Sequence, residues 1–369
     1  MISFGPTEEQ ELIRETVRGF AQTELREIAR ECDEASRVPD ELLDKTWELG
    51  LVAGSIPERL GGAGIERSPV TSAIVAEELA FGDVPLAAAA LAPSLFVHPL
   101  LDFGTEEQQE EFLPLFTTPS YHAASLALHE PNFSFDPANL RTIAEPKGDG
   151  FRITGHKRFV PLGDRASHFL VVARGGRDGL EGLEAFIVPR DAGGLVVSAQ
   201  IEKTLGLQAL PCAALELDGV EVSASARLGG DRGIDGARLI NLCRMGSAAL
   251  AIGIARAVKE FAIPYAKERV AFGQPIAQKQ AIAFRLAEME IEVDSMRHLV
   301  WKAASQLEQG VDATRVSTLA QTYVCRETMK IADNGLQIFG GHGFIRDYPV
   351  EMWYRNARAL TVLEGLAAL

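Results

Sequence analysis

Hydrophobic positions along the 369-residue chain follow three regimes. From Thr7 to about Phe116 they recur at helical spacing. Leu12, Ile13, Val17 and Phe20 fall on one stripe, and Thr7 with Gln10 supplies a capping box at its start. DELLDKTWELG, from Asp40, predicts a helix stopped by Gly50. SIPERLGGAG reads as a turn-rich break, and TEEQQEEFLPLF as a helix opened by Thr105 that stops near Pro114. Between about Thr118 and Leu228 the period changes. GFRITGHKRFV, SHFLVVAR, LEAFIVPR, GLVVSAQI and AALELDGVEVSA are short, rich in β-branched and aromatic residues, and separated by Gly, Asp and Pro. That pattern predicts antiparallel strands in a compact β domain. From about Ile234 the helical period returns in three long segments: one to Phe272 containing Pro264, one from about Ala277 to Gly310, and one from about Ala313 to Phe339. Long helices with short connections make a bundle.

The expected fold class is therefore mainly α with a central β domain: an N-terminal α-helical domain over 1–117, a middle β domain over 118–230 and a C-terminal helical bundle domain over 231–369. Strands and helices do not alternate, and no G-x-G-x-x-G follows a strand, so a Rossmann domain is excluded.

Composition narrows the function. A hydrophobic content of 47% with 24% charge suits a packed globular protein of two or three cooperating domains. Lys plus Arg is 36 against 51 for Asp plus Glu, a formal net charge of -15, and no long basic run breaks that balance. Phosphate-backbone binding needs clustered cations, so no nucleic-acid partner is expected. Cys32, Cys212, Cys243 and Cys325 are widely spaced without a C-x-x-C pair, which argues against a zinc ribbon or a disulfide framework and fits a reducing cytoplasm. MISFGPTEEQ turns acidic at once, unlike a signal peptide. The longest apolar stretch, LAAAALAPSLFV at 86–97, is short and interrupted by Pro93; it reads as a buried helix or an inter-helix segment, with no membrane span expected. His122, His156 and His342 have no carboxylate or second His at ligand spacing, so no metal is assigned.

Three stretches carry candidate chemistry. In YAKERVAFGQPIAQKQAIAFRLAEM, residues 265–289, Arg269 closes a helix, Phe272 and Gly273 form a turn and Gln280 opens the next helix. A cation and an amide at such a corner suit an anion, although a solvated Arg in a last helical turn looks the same. In QIFGGHGFIRDYPVEMWYRNARALTVLEG, residues 337–365, Gly340, Gly341 and Gly343 permit a tight turn that a ligand can approach closely, and Tyr348 with Pro349 starts a further segment. The chain closes on RALTVLEGLAAL. Its one carboxylate, Glu364, is either a frayed, solvated terminal residue or a buried group with a purpose.

Together with IPERLGGAG (56–64), AEELA (76–80), FGTEEQQEEFLP (103–114), HEP (129–131) and ITGHKRFV (153–160), in order and spacing, these stretches make the chain resemble the acyl-CoA dehydrogenase family over nearly its whole length. The resemblance implies an α-helical N-terminal domain, a β-barrel-like middle domain and a C-terminal four-helix bundle. It further implies assembly into dimers or dimer pairs that bind FAD at subunit contacts. Carried over residue by residue, Arg269, Phe272 and Gln280 correspond to the corner that holds the FAD pyrophosphate and adenosine of a neighbouring subunit. Gln337, Gly340 and Gly341 correspond to the turn that meets the same cofactor. The loop from Leu126 to Ser134, with His129, and the strand at Phe159 to Pro161 match segments that pack on the flavin ring. Ser134 and Arg244 fall on the substrate side. Glu364 falls where many members keep the base that removes the α-proton of an acyl thioester, with Val362, Leu363 and Leu366 as apolar neighbours able to raise its pKa. Relatives with the base on the first helix of the bundle carry it at the position of Cys243, which cannot do that work.

The chain departs from the family pattern at several positions. The flavin loop reads HEPNFSFD, with His129 in place of Thr and Phe133 and Phe135 where small residues are normal. Phe159-Val160-Pro161 stands for W-I-T, Arg355-Asn356 for R-D, and Glu364-Gly365-Leu366 for E-G-T, so hydroxyl donors are lost. The resemblance therefore implies an acyl-CoA substrate, a 2-enoyl-CoA product and an electron-transferring flavoprotein as acceptor. The altered loop leaves a second reading open, a half-site or structural subunit that pairs with another dehydrogenase-like chain and binds FAD weakly or not at all. A flavin oxidase or monooxygenase on the same scaffold is a third.

Overall fold

Thr7 and Gln10 form the capping box that their spacing predicts: Thr7 Oγ1 accepts the Gln10 N–H at 3.2 Å and Gln10 Oε1 accepts the Thr7 N–H at 3.0 Å. Thr105 and Gln108 repeat the arrangement. The structure is a computed structural model describing residues 5–132 and 134–369. The N-terminal helices are α1 (Glu8–Phe20), α2 (Arg26–Ala35), α3 (Asp40–Glu48), α4 (Pro69–Gly82), α5 (Val84–Leu91), α6 (Ser94–Phe103) and α7 (Glu106–Phe112), with a π-helical turn, Ala21–Leu25, between the first two. On α1, Val17 is buried with Ile13 and Phe20 packed against the core, but Leu12 is 65% exposed. Residue 12 sits about 100° round the helix from residue 13, so it cannot share that stripe. The apolar run 86–97 is buried throughout, split between α5 and α6, which meet at 42° across the break containing Pro93.

The middle region is one seven-stranded sheet of β1 (Ala124–Ala127), β2 (Ile143–Lys147), β3 (Gly150–Pro161), β4 (His168–Arg174), β5 (Leu183–Pro189), β6 (Leu195–Val197) and β7 (Cys212–Ser223), in the order β1-β4-β2-β3-β7-β6 with β5 also on β4. The sheet is mixed rather than purely antiparallel. β1 runs parallel to β4 from Ala124↔His168 to Ala127↔Val171, and β2 meets β4 in parallel at Ile143↔Arg174. Every position of β1 is buried, which erases the alternation that would have revealed it in the sequence.

The C-terminal region holds α8 (Gly236–Glu268), a short hairpin β8 (Val270–Ala271) and β9 (Gln274–Pro275) outside the expected strand range, then α9 (Gln280–Glu308), α10 (Thr314–Phe339) and α11 (Val350–Leu360). α8 is long and apolar enough to cross a membrane, but 83% of its apolar window is buried inside the protein, as a core helix requires. A charged cluster stitches α8 to α4 and α9. Arg256 reaches Glu77 at 2.7 Å and also pairs with Glu78, while Arg297 on α9 reaches Glu77 at 2.8 Å. Burial opposes the Arg256 charge, but Glu78 and Glu77 outweigh it and hold the guanidinium above its ordinary range.

Candidate active site

The terminal segment is anchored. After α11 the chain turns at Gly365, φ +78°, where an added Cβ would stand 3.3 Å from Leu128 at the end of β1. The Leu369 N–H donates to the Leu242 carbonyl at 3.3 Å, and residues 365–369 are all buried. Glu364 is consequently not frayed: its side chain is 18% exposed. Of its three expected apolar neighbours, Leu363 and Leu366 are buried, but Val362 is 59% exposed and contributes no desolvation.

Glu364 Oε2 faces Arg244 Nε at 3.8 Å, beyond hydrogen-bond distance. Both atoms are buried and neither has a hydrogen-bond partner among the described residues. Arg244 is steadied by Nη1 donating to Thr318 Oγ1 at 3.2 Å. Burial raises the Glu364 pKa above the usual carboxylate value. Arg244 and a side-chain hydrogen bond from Gln321 pull it back, and the Asp136 charge adds to the rise. Asp136 belongs to the loop after β1, so the base candidate and that loop share one electrostatic neighbourhood. Beside Arg244, the Cys243 thiol is fully buried and pushed up to about 12, first by burial and then by Glu364, which leaves it a protonated packing group.

On the loop, His129 is buried. Its ring stacks on Phe135 at 4.2 Å and meets Phe159 edge-on at 5.2 Å. His129 Nδ1 has no hydrogen-bond partner among the described residues, and burial holds the imidazole below its ordinary range, hence neutral. Ser134 and Asp136 are exposed on the same loop; Phe133 lies outside the described residues. The loop is braced from below by a pair that sequence reasoning did not single out. Lys157 Nζ donates to Glu130 Oε1 at 2.9 Å and to the Leu128 carbonyl at 3.1 Å, while Glu130 accepts the Arg141 and Thr142 N–H groups at 2.7 and 2.9 Å. Burial pushes Lys157 down to about 8 against the pull of Glu130.

The remaining candidates gather at the end of the bundle. Arg269 caps α8, its N–H donating to the Tyr265 carbonyl at 2.8 Å, and Gln280 is exposed at the first position of α9. Phe272 tips the β8–β9 hairpin with φ +53° and is 96% exposed. One turn before Arg269, Tyr265 stacks on Phe339 at 3.8 Å and bonds His342 Nδ1 at 3.0 Å. This joins the Arg269 corner to the turn containing Gly340 and Gly341, just after the exposed Gln337. A Cβ at either glycine would meet nothing within 4 Å, so main-chain groups there are open to a ligand. The Arg269 side chain has no hydrogen bond or ion pair among the described residues. A free guanidinium beside an open glycine turn fits a pyrophosphate, and a buried unpartnered imidazole nitrogen between aromatic rings fits the edge of a flavin, so the residues present suit FAD. Among the described residues no group of three or more His, Cys, Asp or Glu is arranged to hold a metal.

Family models match the chain in three consecutive parts: acyl-CoA dehydrogenase N-terminal domain over 7–119, middle domain over 125–220 and C-terminal domain over 235–368. An acyl-CoA dehydrogenase of Bacillus subtilis (strain 168) is 34% identical over 370 residues, covering 97% of this chain and 95% of that protein. The structure of butyryl-CoA dehydrogenase from Megasphaera elsdenii superposes with a TM-score of 0.88 at 30% identity, covering 99% of this chain and 96% of that one. A glutaryl-CoA dehydrogenase from Mycobacterium smegmatis in complex with FADH2 superposes with a TM-score of 0.85 at 26% identity, covering 96% and 90%. The chain belongs to the acyl-CoA dehydrogenase family. It is an oxidoreductase acting on CH–CH groups of acyl-CoA thioesters, with FAD as cofactor.

Proposed function

We propose that this chain forms a 2-enoyl-CoA in the cytoplasm, with Glu364 taking the α-proton and an electron-transferring flavoprotein as the electron acceptor. The observation that carries the reading is the buried, unpartnered Oε2 of Glu364 beside Arg244. A desolvated carboxylate with a free lone pair accepts a carbon-bound proton more readily than a solvated one. Arg244 opposes the rise that burial imposes on its pKa without hydrogen-bonding the accepting oxygen. FAD, when bound, supplies the acceptor for the β-hydrogen, which leaves as hydride. His129, Phe135 and Phe159 give its ring an apolar wall and one polar atom. Arg269, Phe272, Gln280, Gln337, Gly340 and Gly341 would hold the phosphate and adenosine end. Ser134, exposed on the loop, and Arg244 serve the thioester side.

The base, Arg244 and the flavin-side loop are assembled within one chain, which does not favour the half-site reading. Among the described residues no hydrogen bond, ion pair or ring contact joins the Arg269 corner to that group, which supports a cofactor shared across a homo-oligomer contact. The division at 117 and 230 assigns flavin wall and base to different domains. Glu364→Gln keeps the shape and removes the basicity. Acyl-CoA-dependent flavin bleaching should fall at least ~10²-fold while acyl-CoA binding persists. An unchanged bleaching rate would remove Glu364 from the mechanism.

A further inference from the structure

The segment 198–211, between β6 and β7, is bonded at one end to the flavin-side strand and at the other to the helix that leads into Glu364. At the first end, Glu202 Oε1 accepts the Phe159 N–H at 3.2 Å, and Oε2 accepts Arg158 Nη2 at 3.0 Å. The Glu202 side chain is 5% exposed although its segment carries no regular structure. Phe159 needs such an acceptor. The β3–β7 ladder slips between Lys157↔Leu215 and Val160↔Ala213, so one extra residue bulges from β3 there, and Phe159 adopts φ +53°. A bulge strips a residue of its ladder partner, and a left-handed aromatic residue persists only where its surroundings hold it. At the second end, the Leu207 N–H donates to Asn356 Oδ1 at 2.7 Å, with Asn356 fully buried in α11. Gly206 lies so close to that helix that an added Cβ would stand 2.2 Å from the Arg355 carbonyl oxygen.

We propose that Glu202 is a positioning residue: through the strap 198–211 it holds the Phe159 bulge in fixed relation to α11, and so sets the spacing between the flavin-side wall and the base. The inference rests on the proposed reading that Phe159 packs on the flavin ring and Glu364 takes the α-proton. Two reacting groups supplied by different domains need such a tie, because a ~1 Å misplacement costs about 10²-fold in rate. Arg158 completes the charge pairing of Glu202, but the N–H of Phe159 is the group whose conformation is controlled.

The test uses the FAD-loaded protein with butyryl-CoA and octanoyl-CoA as probes, and three variants. Glu202→Leu keeps volume and removes both acceptors; Glu202→Gln keeps an acceptor for the Phe159 N–H; Arg158→Ala removes the ion pair and the guanidinium 5.6 Å from the Phe159 ring centroid, and leaves both Glu202 acceptors in place. For Glu202→Leu we expect amide exchange over residues 158–161 to quicken about tenfold or more, with a changed visible circular dichroism of the bound flavin. Single-turnover bleaching at saturating acyl-CoA should slow about tenfold or more, with KM within about threefold of the parent. Glu202→Gln and Arg158→Ala should stay within about threefold of the parent in all four readouts. Glu202→Leu that exchanges and bleaches like the parent, or Glu202→Gln as impaired as Glu202→Leu, overturns the proposal. Run beside them, Glu364→Gln separates the two readings. If it bleaches normally the base assignment fails, yet exchange and dichroism still decide the role of Glu202.

Discussion

Arg244 Nε and Glu364 Oε2 stand 3.8 Å apart, two buried and oppositely charged atoms that attract without sharing a hydrogen bond. The arrangement separates two properties of a general base. Arg244 opposes the rise that burial imposes on the Glu364 pKa, and in the proposed role the absent hydrogen bond leaves a lone pair available to a carbon acid. Because burial raises the Glu364 pKa and Arg244 restrains the rise, the bleaching rate should increase with pH through a midpoint above the ordinary Glu value of 4.5. In Arg244→Gln the restraint is gone, so the midpoint should move to still higher pH; stopped-flow pH profiles of the two proteins check the direction.

On the proposed reading, the exposed Arg269 corner holds the cofactor and takes no part in folding. Arg269→Ala deletes one charge-assisted contact of ~1.5–3 kcal/mol, so FAD affinity should fall roughly 10–100-fold. The melting temperature of the apoprotein should not change, because the side chain makes no intrachain bond among the described residues. Absorbance at the flavin band gives FAD per chain. About one FAD per chain in the parent homo-oligomer is expected; a colourless protein that loads only beside a second dehydrogenase-like chain would revive the half-site reading.

The Arg256 network is a stability element. Among the described residues, Arg256→Ala leaves Glu77 and Glu78 buried at the junction of α4 and α8, with Glu77 keeping Arg297 and Glu78 keeping only Arg18 at 4.0 Å. Removing one partner of a buried charge cluster costs about 3–5 kcal/mol, to be read from urea unfolding of the holoprotein. An Arg256→Lys variant should recover part of the loss, since a point charge restores attraction but not the two-pronged geometry.

Acid should weaken the fold through His98. Burial, followed by the nearby Arg67 charge, lowers its pKa from 6.5 to about 3, so the folded state keeps the ring neutral where the unfolded chain protonates it. Stability from this group is complete above pH 6.5 and is lost as pH falls toward 3, by roughly 3 kcal/mol at pH 4. His98→Gln should flatten that part of the curve of unfolding free energy against pH. A slope identical to the parent's would show that other groups carry the acid response.

The sequence by itself determined the helix–sheet–helix layout, the Thr7–Gln10 capping box, the burial of 86–97 and the location of the Arg269 corner, because each is written in local periodicity, turn residues or a fixed spacing. It also drew attention to Glu364. Whether that carboxylate is solvated or buried depended on contacts with Leu128, Leu242 and Arg244, all more than a hundred positions away, and desolvation is a sum over such neighbours. Val362 shows the limit: adjacent and apolar, it faces solvent. Leu12 fails for a simpler reason of helical phase, and β1 and β2 escaped notice because a fully buried or Pro-containing strand lacks alternation. The brace of Lys157 on Glu130, the stack of His129 on Phe135 and the bond from Phe159 to Glu202 leave no local trace at all. Each joins residues through the register of the sheet or the path of an irregular loop, and only the tertiary structure brings those atoms within hydrogen-bond distance.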